Sequence, residues 1–299
     1  MQKNHTQITD NSRGIILMIT AVLILPFSDA IAKWLTSSYT VIQISFIRFS
    51  IQTLIILLMI YFFKGRIKRF KLVYLYSGFF ITSTIVLLFW GLKYLPMANN
   101  IALFFIEPLI LSLLSIIFLK ERLEKNHIIA IIIGLIGTLI IIRPNWSAYG
   151  IAALLPIGSA FFYALYLISI RHFSSGIDAK SLQFYVGIFA SLLLGIVLLI
   201  SVEFGFDSFG FNQLNLTEHW WLFILLGIIT TIVQLLVSQA FSYSKASSLA
   251  SFQYLEIISA SFLGWIIFKN IPDVLTILGS IIVIFSGVYL IRHERKNSK

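Results

Sequence analysis

The chain has no cysteine. That excludes a disulfide framework, thiolate zinc ligands and thiol nucleophiles. Charge is scarce as well. Only 11% of the 299 residues are Asp, Glu, Lys or Arg, against about 25% in a soluble domain. Histidine occurs at His5, His127, His172, His219 and His293, all in tails, loops or span ends. The sequence has no acidic cluster, no His-Glu-x2-His pair and no Gly-x4-Gly-Lys-Ser/Thr loop. Metal-assisted hydrolysis, general acid–base catalysis and nucleotide hydrolysis therefore lack their usual residues. Neither a cofactor nor a metal is expected, and an enzyme is not.

Apolar residues are abundant. They make up 59% of the chain, and the mean hydropathy is +0.95. A soluble core is excluded, and the fold class is that of an all-α integral membrane protein. The alternating ten-residue pattern of a membrane β-barrel is absent. Residues 1–13 are polar and run straight into an apolar stretch with no small-residue cleavage site, so the first span is expected to stay in the mature protein.

A helix needs about 20 apolar residues to cross the hydrocarbon core. Ten segments meet or approach that length: Gly14–Leu35, Thr40–Phe63, Leu72–Leu92, Met97–Leu119, Asn126–Ile142, Tyr149–Ile170, Ser181–Val202, Trp220–Phe241, Ser247–Phe268 and Val274–Ile291. Their basic residues set the orientation. With the N-terminus inside, 17 Lys and Arg fall on the cytoplasmic side. Only Lys33, Lys93, Arg143 and Lys269 fall outside. The positive-inside rule therefore puts both termini in the cytoplasm. It also accounts for the formal charge of +10 without a nucleic-acid partner.

The chain repeats itself at an offset of 149. Tyr94 matches Tyr243, Ala98 matches Ser247, Glu107 matches Glu256, Lys120 matches Lys269, and Ile142-Arg143 matches Ile291-Arg292. Five spans per repeat is an odd number, so the second copy must enter the membrane upside down. The expected organisation is a cytoplasmic tail (1–13), one five-helix repeat (14–143), an inverted second repeat (149–292) and a second cytoplasmic tail (293–299). Inverted repeats with sites at the midplane are typical of secondary transporters.

Five charges lie inside spans or near their outer ends: Asp29, Lys33, Arg48, Glu107 and Glu256. A helix rises about 1.5 Å per residue. Glu107 then lies roughly 15 Å below the outer end of the fourth span, and Glu256 about 14 Å above the inner end of the ninth. Both are near the middle of a core about 30 Å thick. Arg48 is at a similar level in the second span. Charges at that depth mark functional sites by default. For both glutamates, substrate contact or proton carriage stands against a purely structural bond to a neighbouring helix. Pro108 frees the carbonyl of Phe104 and is expected to kink the fourth span. Pro26 is expected to bend the first. Asp29 and Lys33 stand four residues apart on one face, as a mobile outer-gate pair or as a snorkelling pair. Arg48 is expected to pair with Asp29 or Glu107, or to meet an anionic group of the substrate. Trp90, Asn99, Asn100, Tyr163, Tyr166, Gln183, Tyr185, Gln234, Gln239, Gln253 and Tyr254 supply the remaining candidate lining. Trp220 and Trp221 read as an interfacial belt.

The run Ala98-x3-Ala102-x4-Glu107-Pro108, closing with Phe118-Leu119-Lys120-Glu121, resembles the fourth span of EamA-type drug/metabolite transporters. Tyr254-Leu255-Glu256 through Ile267-Phe268-Lys269 resembles their ninth. Phe46-Ile47-Arg48-Phe49 and the stretch from Gly150 to Ala164-Leu165-Tyr166 fit as well. Ile257 and Asn270 depart from the pattern, where a proline and a glutamate are usual. The resemblance implies a ten-helix basket around a central cavity, moving one small solute without ATP in a bacterial inner membrane. The segment Leu25 to Lys33 is similar to a branch that includes importers of S-adenosylmethionine and riboflavin. Uptake of a small polar or amphipathic metabolite is thus the expectation, with export of amino acids or drugs as the alternative. A channel or a membrane-embedded enzyme is a remoter reading. The lipid bilayer and a small-molecule substrate are the expected partners. Proton coupling and oligomeric state are open.

Overall fold

A computed structural model describes residues 2–62, 66–95, 97–121, 125–142, 150–172, 178–204, 216–256, 259, 262–263, 266 and 274–297. All regular structure among them is helical. The elements are α1 (Gln2–Leu35), α2 (Val41–Phe62), α3 (Leu72–Tyr94), α4 (Met97–Phe104), α5 (Glu107–Leu119) and α6 (Lys125–Ile142). After a 3-10 turn at Gly150–Ala153 come α7 (Leu154–His172), α8 (Ala179–Phe204), α9 (Leu216–Tyr243), α10 (Ala246–Gln253) and α11 (Val274–Asn297). Hydrocarbon offers no partner to a backbone N–H, so a spanning chain must bond within itself.

The side chains are arranged inside out relative to a soluble protein. Helix α2 buries Gln43, Ser45, Arg48 and Gln52 and exposes Leu54, Leu57 and Leu58. Leu199, Phe62 and Ile117 are also exposed. In water this would leave a large sticky surface. In lipid it is the expected face. Trp220 and Trp221 are exposed near the start of α9, where an interfacial belt was expected.

Six stretches among the described residues are long and apolar enough to cross a bilayer: Ser12–Leu35, Val41–Phe62, Leu72–Tyr94, Gly150–His172, Ala179–Ser201 and His219–Tyr243. They match the first three expected spans and the sixth to eighth. The expected fourth span is divided at residues 105–106 into α4 and α5. Pro108 explains this break, because it cannot donate to the carbonyl of Phe104. The chain also leaves the helix at Tyr254–Leu255, 149 positions further on, where residue 257 is isoleucine. There the Leu255 amide bonds back to Phe252 rather than one residue earlier. The division of the ninth span thus needs no proline. Two expectations shift at the ends. Helix α1 starts at Gln2, inside the expected tail, because no proline or glycine separates Gln2 from Gly14. Likewise α11 continues past Ile291 to Asn297.

The helices pair α1 with α9, α3 with α7, α2 with α8, α6 with α11, and α5 with α7. The pair α6–α11 meets at backbone distance. A Cβ on Gly137 would lie 2.9 Å from the carbonyl oxygen of Gly279 and 2.9 Å from Val283 Cγ2. A backbone carbonyl cannot rotate away as a side chain does. Gly137→Val is therefore expected to destabilise the protein by about 1–3 kcal/mol, seen as an earlier thermal transition in detergent.

Candidate functional site

Arg48 is 2% exposed, on the inward face of α2. Asp29, half-buried on α1, interacts with it electrostatically. Glu256, just after the break beyond α10, interacts in turn with Asp29 and Glu107. Glu107 is fully buried in the first turn of α5. Its neighbour Gln253, at the end of α10, offers an amide 3.5 Å from Oε1. The interrupted helices thus bring one acid from each repeat to the same buried place. The helix N-terminus at Glu107 also favours negative charge there.

Aromatic rings line this cluster. Tyr163 interacts with Arg48, Glu107 and Glu256. It stacks on Tyr166 with ring centres 6.0 Å apart and touches Phe104 at 5.7 Å. Tyr254 interacts with Glu107 and packs on Phe105 at 5.9 Å. Several polar atoms have no hydrogen-bond partner within the protein: Arg48 Nε and Nη1, Glu107 Oε2 and the Tyr254 hydroxyl. Each orphan costs about 1–3 kcal/mol, and more where it is charged.

A chain of side-chain hydrogen bonds starts one turn after Arg48, at Gln52. Gln52 of α2 donates to Gln183 Oε1 of α8 at 3.1 Å. Gln183 donates to the Tyr166 hydroxyl of α7 at 2.8 Å and to Ser238 Oγ of α9 at 2.7 Å. Tyr166 donates to Gln234 Oε1 of α9 at 2.9 Å. Four helices are tied by one run of side chains. Near the same end, Arg171 lies 3.5 Å from Glu121 and donates to the Phe241 carbonyl at 3.1 Å. Gln183→Leu would remove the donor to the Tyr166 hydroxyl and to Ser238 Oγ and one of the two acceptors of Gln52. It is expected to lower stability by about 1–3 kcal/mol, measured by thermal unfolding in detergent.

Of the expected lining, Asp29, Arg48, Glu107, Tyr163, Tyr166, Gln183, Gln234, Gln253, Tyr254 and Glu256 come together in this region. Asn100 is buried but donates to the Leu88 carbonyl at 3.0 Å, fixing the corner between α4 and α3. Tyr185 sits elsewhere, stacked on Tyr74 at 4.9 Å with its hydroxyl on the Lys68 carbonyl. Gln239 is exposed. Trp90 is half-buried on α3 and Lys33 half-buried near the end of α1. Helix α1 runs through Pro26 without interruption. The side chain of Asn99 lies outside the described ones. Gln52 and Ser238 were missed. Both carry a helical signal, since Gln52 follows Arg48 by one turn and Ser238 follows Gln234 by one turn.

A helical membrane protein with a buried charged centre is the class that this fold and site define. The chain belongs to the EamA-like transporter family, whose model matches residues 12–143 and again 150–292. It is 25% identical to the pseudopaline exporter CntI of Pseudomonas aeruginosa, over 94% of this chain and 97% of that protein. It is 27% identical to a riboflavin transporter of Vibrio cholerae, over 70% and 68% of the two chains. It is 21% identical to an S-adenosylmethionine uptake transporter of Rickettsia prowazekii, over 95% and 94%. A solved crystal structure superposes with a TM-score of 0.80 at 16% identity, covering 95% of this chain and 99% of the other. At that identity the likeness speaks for the fold alone.

Proposed function

We propose that the protein is a secondary carrier that moves a small polar or amphipathic metabolite across a bacterial inner membrane by alternating access. Ten spans, two inverted five-helix halves (14–143 and 149–292) and cytoplasmic termini belong to this reading. The observation that carries it is the inward cluster of Asp29, Arg48, Glu107 and Glu256, which includes the equivalent glutamates of the two repeats. Further support comes from the breaks at 105–106 and 254–255, which fall at equivalent positions. The helix pairings support it too. Exchanging the halves turns α1–α9 into α7–α3 and α2–α9 into α8–α3, and all four pairs exist. Two like halves in opposite orientations can exchange the roles of open and closed. The tie from Gln52 to Gln234 and the Arg171–Glu121 contact close one end, so the cycle must break them. Relatives named as importers and as exporters are both similar to this chain. Uptake is preferred for the likeness of Leu25 to Lys33 to importers.

Counterflow in proteoliposomes tests the reading. Vesicles are preloaded with unlabelled metabolites and offered labelled S-adenosylmethionine, riboflavin or amino acids. Saturable exchange, lost in Glu256→Gln, is the expected outcome. Flux that rises without saturation would mark a pore. Exchange that survives the substitution would return Glu256 to a packing role.

A further inference from the structure

The connection between α2 and α3 carries four basic residues in six positions, Arg66, Lys68, Arg69 and Lys71, and no acid. All four are exposed. The positive-inside rule accounts for the side of the membrane on which they fall. It does not account for how they are held. The backbone of Lys68 is tied at both of its polar groups to the first two turns of α8. Its amide donates to Ser181 Oγ at 3.0 Å, and its carbonyl accepts from the Tyr185 hydroxyl at 3.1 Å. Ser181 is fixed in turn, its amide and its hydroxyl each donating to Asp178 Oδ2 at 3.1 Å. Two residues on from Lys68, the Phe70 ring packs edge-on against Tyr185 at 5.4 Å and Tyr74 at 6.2 Å.

The position of this ribbon is as telling as its ties. It joins two helices that are each long and apolar enough to span, so it lies at the membrane boundary. Phe70 stays 55% exposed despite its ring contacts, and Leu72 is 57% exposed. Tyr61 and Phe62, at the end of α2, are exposed as well. These apolar groups mark the lipid-facing rim of the bundle. Bases interleaved with apolar side chains at this level match a headgroup layer, where the charges meet phosphates and the rings sit at the top of the acyl chains. A free anion in water would have no use for Phe70 and Leu72.

We propose that residues 66–72 form a fixed binding site for the phosphodiester headgroup of an anionic phospholipid. The ties to Ser181 and Tyr185 order the backbone before the lipid arrives, so binding costs little further chain entropy. Arg66, Lys68, Arg69 and Lys71 supply the attraction, and Phe70 and Leu72 anchor beside the acyl chains.

The test is native mass spectrometry of the purified full chain, offered phosphatidylglycerol and phosphatidylcholine in equal amounts. The two are matched in acyl chains, and only the first is anionic. The unaltered protein is expected to retain the first over the second by roughly tenfold or more. Changing Arg66, Lys68, Arg69 and Lys71 together to Gln is expected to abolish the preference. Changing Arg292, Arg295, Lys296 and Lys299 to Gln removes the same charge from the C-terminal end and is expected to leave it intact. Ser181→Ala with Tyr185→Phe keeps every basic residue and releases the backbone, and is expected to weaken retention of phosphatidylglycerol. The four bases are exposed, so their replacement leaves the packed interior intact, and the preference of the unaltered protein needs no variant. No preference in that protein, an equal loss in the C-terminal variant, or full retention after release of the backbone would overturn the site. Displacement of the lipid by millimolar inorganic phosphate would mark a free-anion site and overturn the lipid assignment.

Discussion

Arg48→Met is expected to abolish saturable exchange and to destabilise the protein, because it takes away the positive charge with which Asp29 interacts. The guanidinium sits at 2% exposure on α2 and answers Asp29 on α1. Without it, Asp29 loses the guanidinium that answers it, beside the further acids Glu256 and Glu107. The companion variant separates the two effects. Asp29→Asn with Arg48→Met removes both partners, and should recover much of the lost stability. It should not recover exchange, because the guanidinium is still missing. Thermal unfolding in detergent and counterflow in vesicles read the two quantities separately. Full recovery of exchange in the double variant would reduce Arg48 to a structural counter-ion.

Glu107→Gln is expected to move stability and function in opposite directions. The carboxylate is fully buried and its best donor, Gln253, stands at the limit of hydrogen bonding at 3.5 Å. An amide of the same shape removes the charge from this place without opening a cavity. Stability should hold or rise by about 1 kcal/mol, because a poorly paired buried charge is itself destabilising. Exchange should fall at least tenfold. A residue kept for packing would do the reverse, losing stability while exchange continued. Stability that is kept for no structural benefit and given up for activity is the mark of a functional position.

Much of this was legible in the sequence because membranes make polar residues conspicuous. Asp29, Arg48, Glu107 and Glu256 stand out against apolar runs, and lipid leaves them only the interior. The repeat at 149 placed both glutamates at equivalent depth. Hydropathy alone does not see where a helix stops and restarts. The break before Glu107 is written in Pro108, but the one at Tyr254–Leu255 has no such residue beside it. Gly134 lies close against it, since a Cβ there would meet Tyr254 Cδ2 at 2.5 Å. Amides and hydroxyls were harder to sort than charges. Gln183 and Tyr166 form the interhelical chain, while Asn100 holds a corner and Gln239 faces outward. Composition gives all of these the same weight. Only the helical phase relative to Arg48 and Gln234 separates Gln52 and Ser238 from polar residues that face elsewhere.

The central claim is that two halves of opposite orientation bring their equivalent acids to one buried site. The absence of cysteine makes the direct test clean, since any introduced thiol is the only one in the chain. Lys120 and Lys269 occupy equivalent positions, each thirteen residues after its repeat's glutamate. Lys120→Cys and Lys269→Cys, made separately, would be treated with a membrane-impermeant maleimide in intact cells and in inside-out vesicles. The account predicts that the first is labelled from the cytoplasmic face and the second from the outer face. Labelling of both from the same face would contradict the inverted repeat and the alternating cycle built on it.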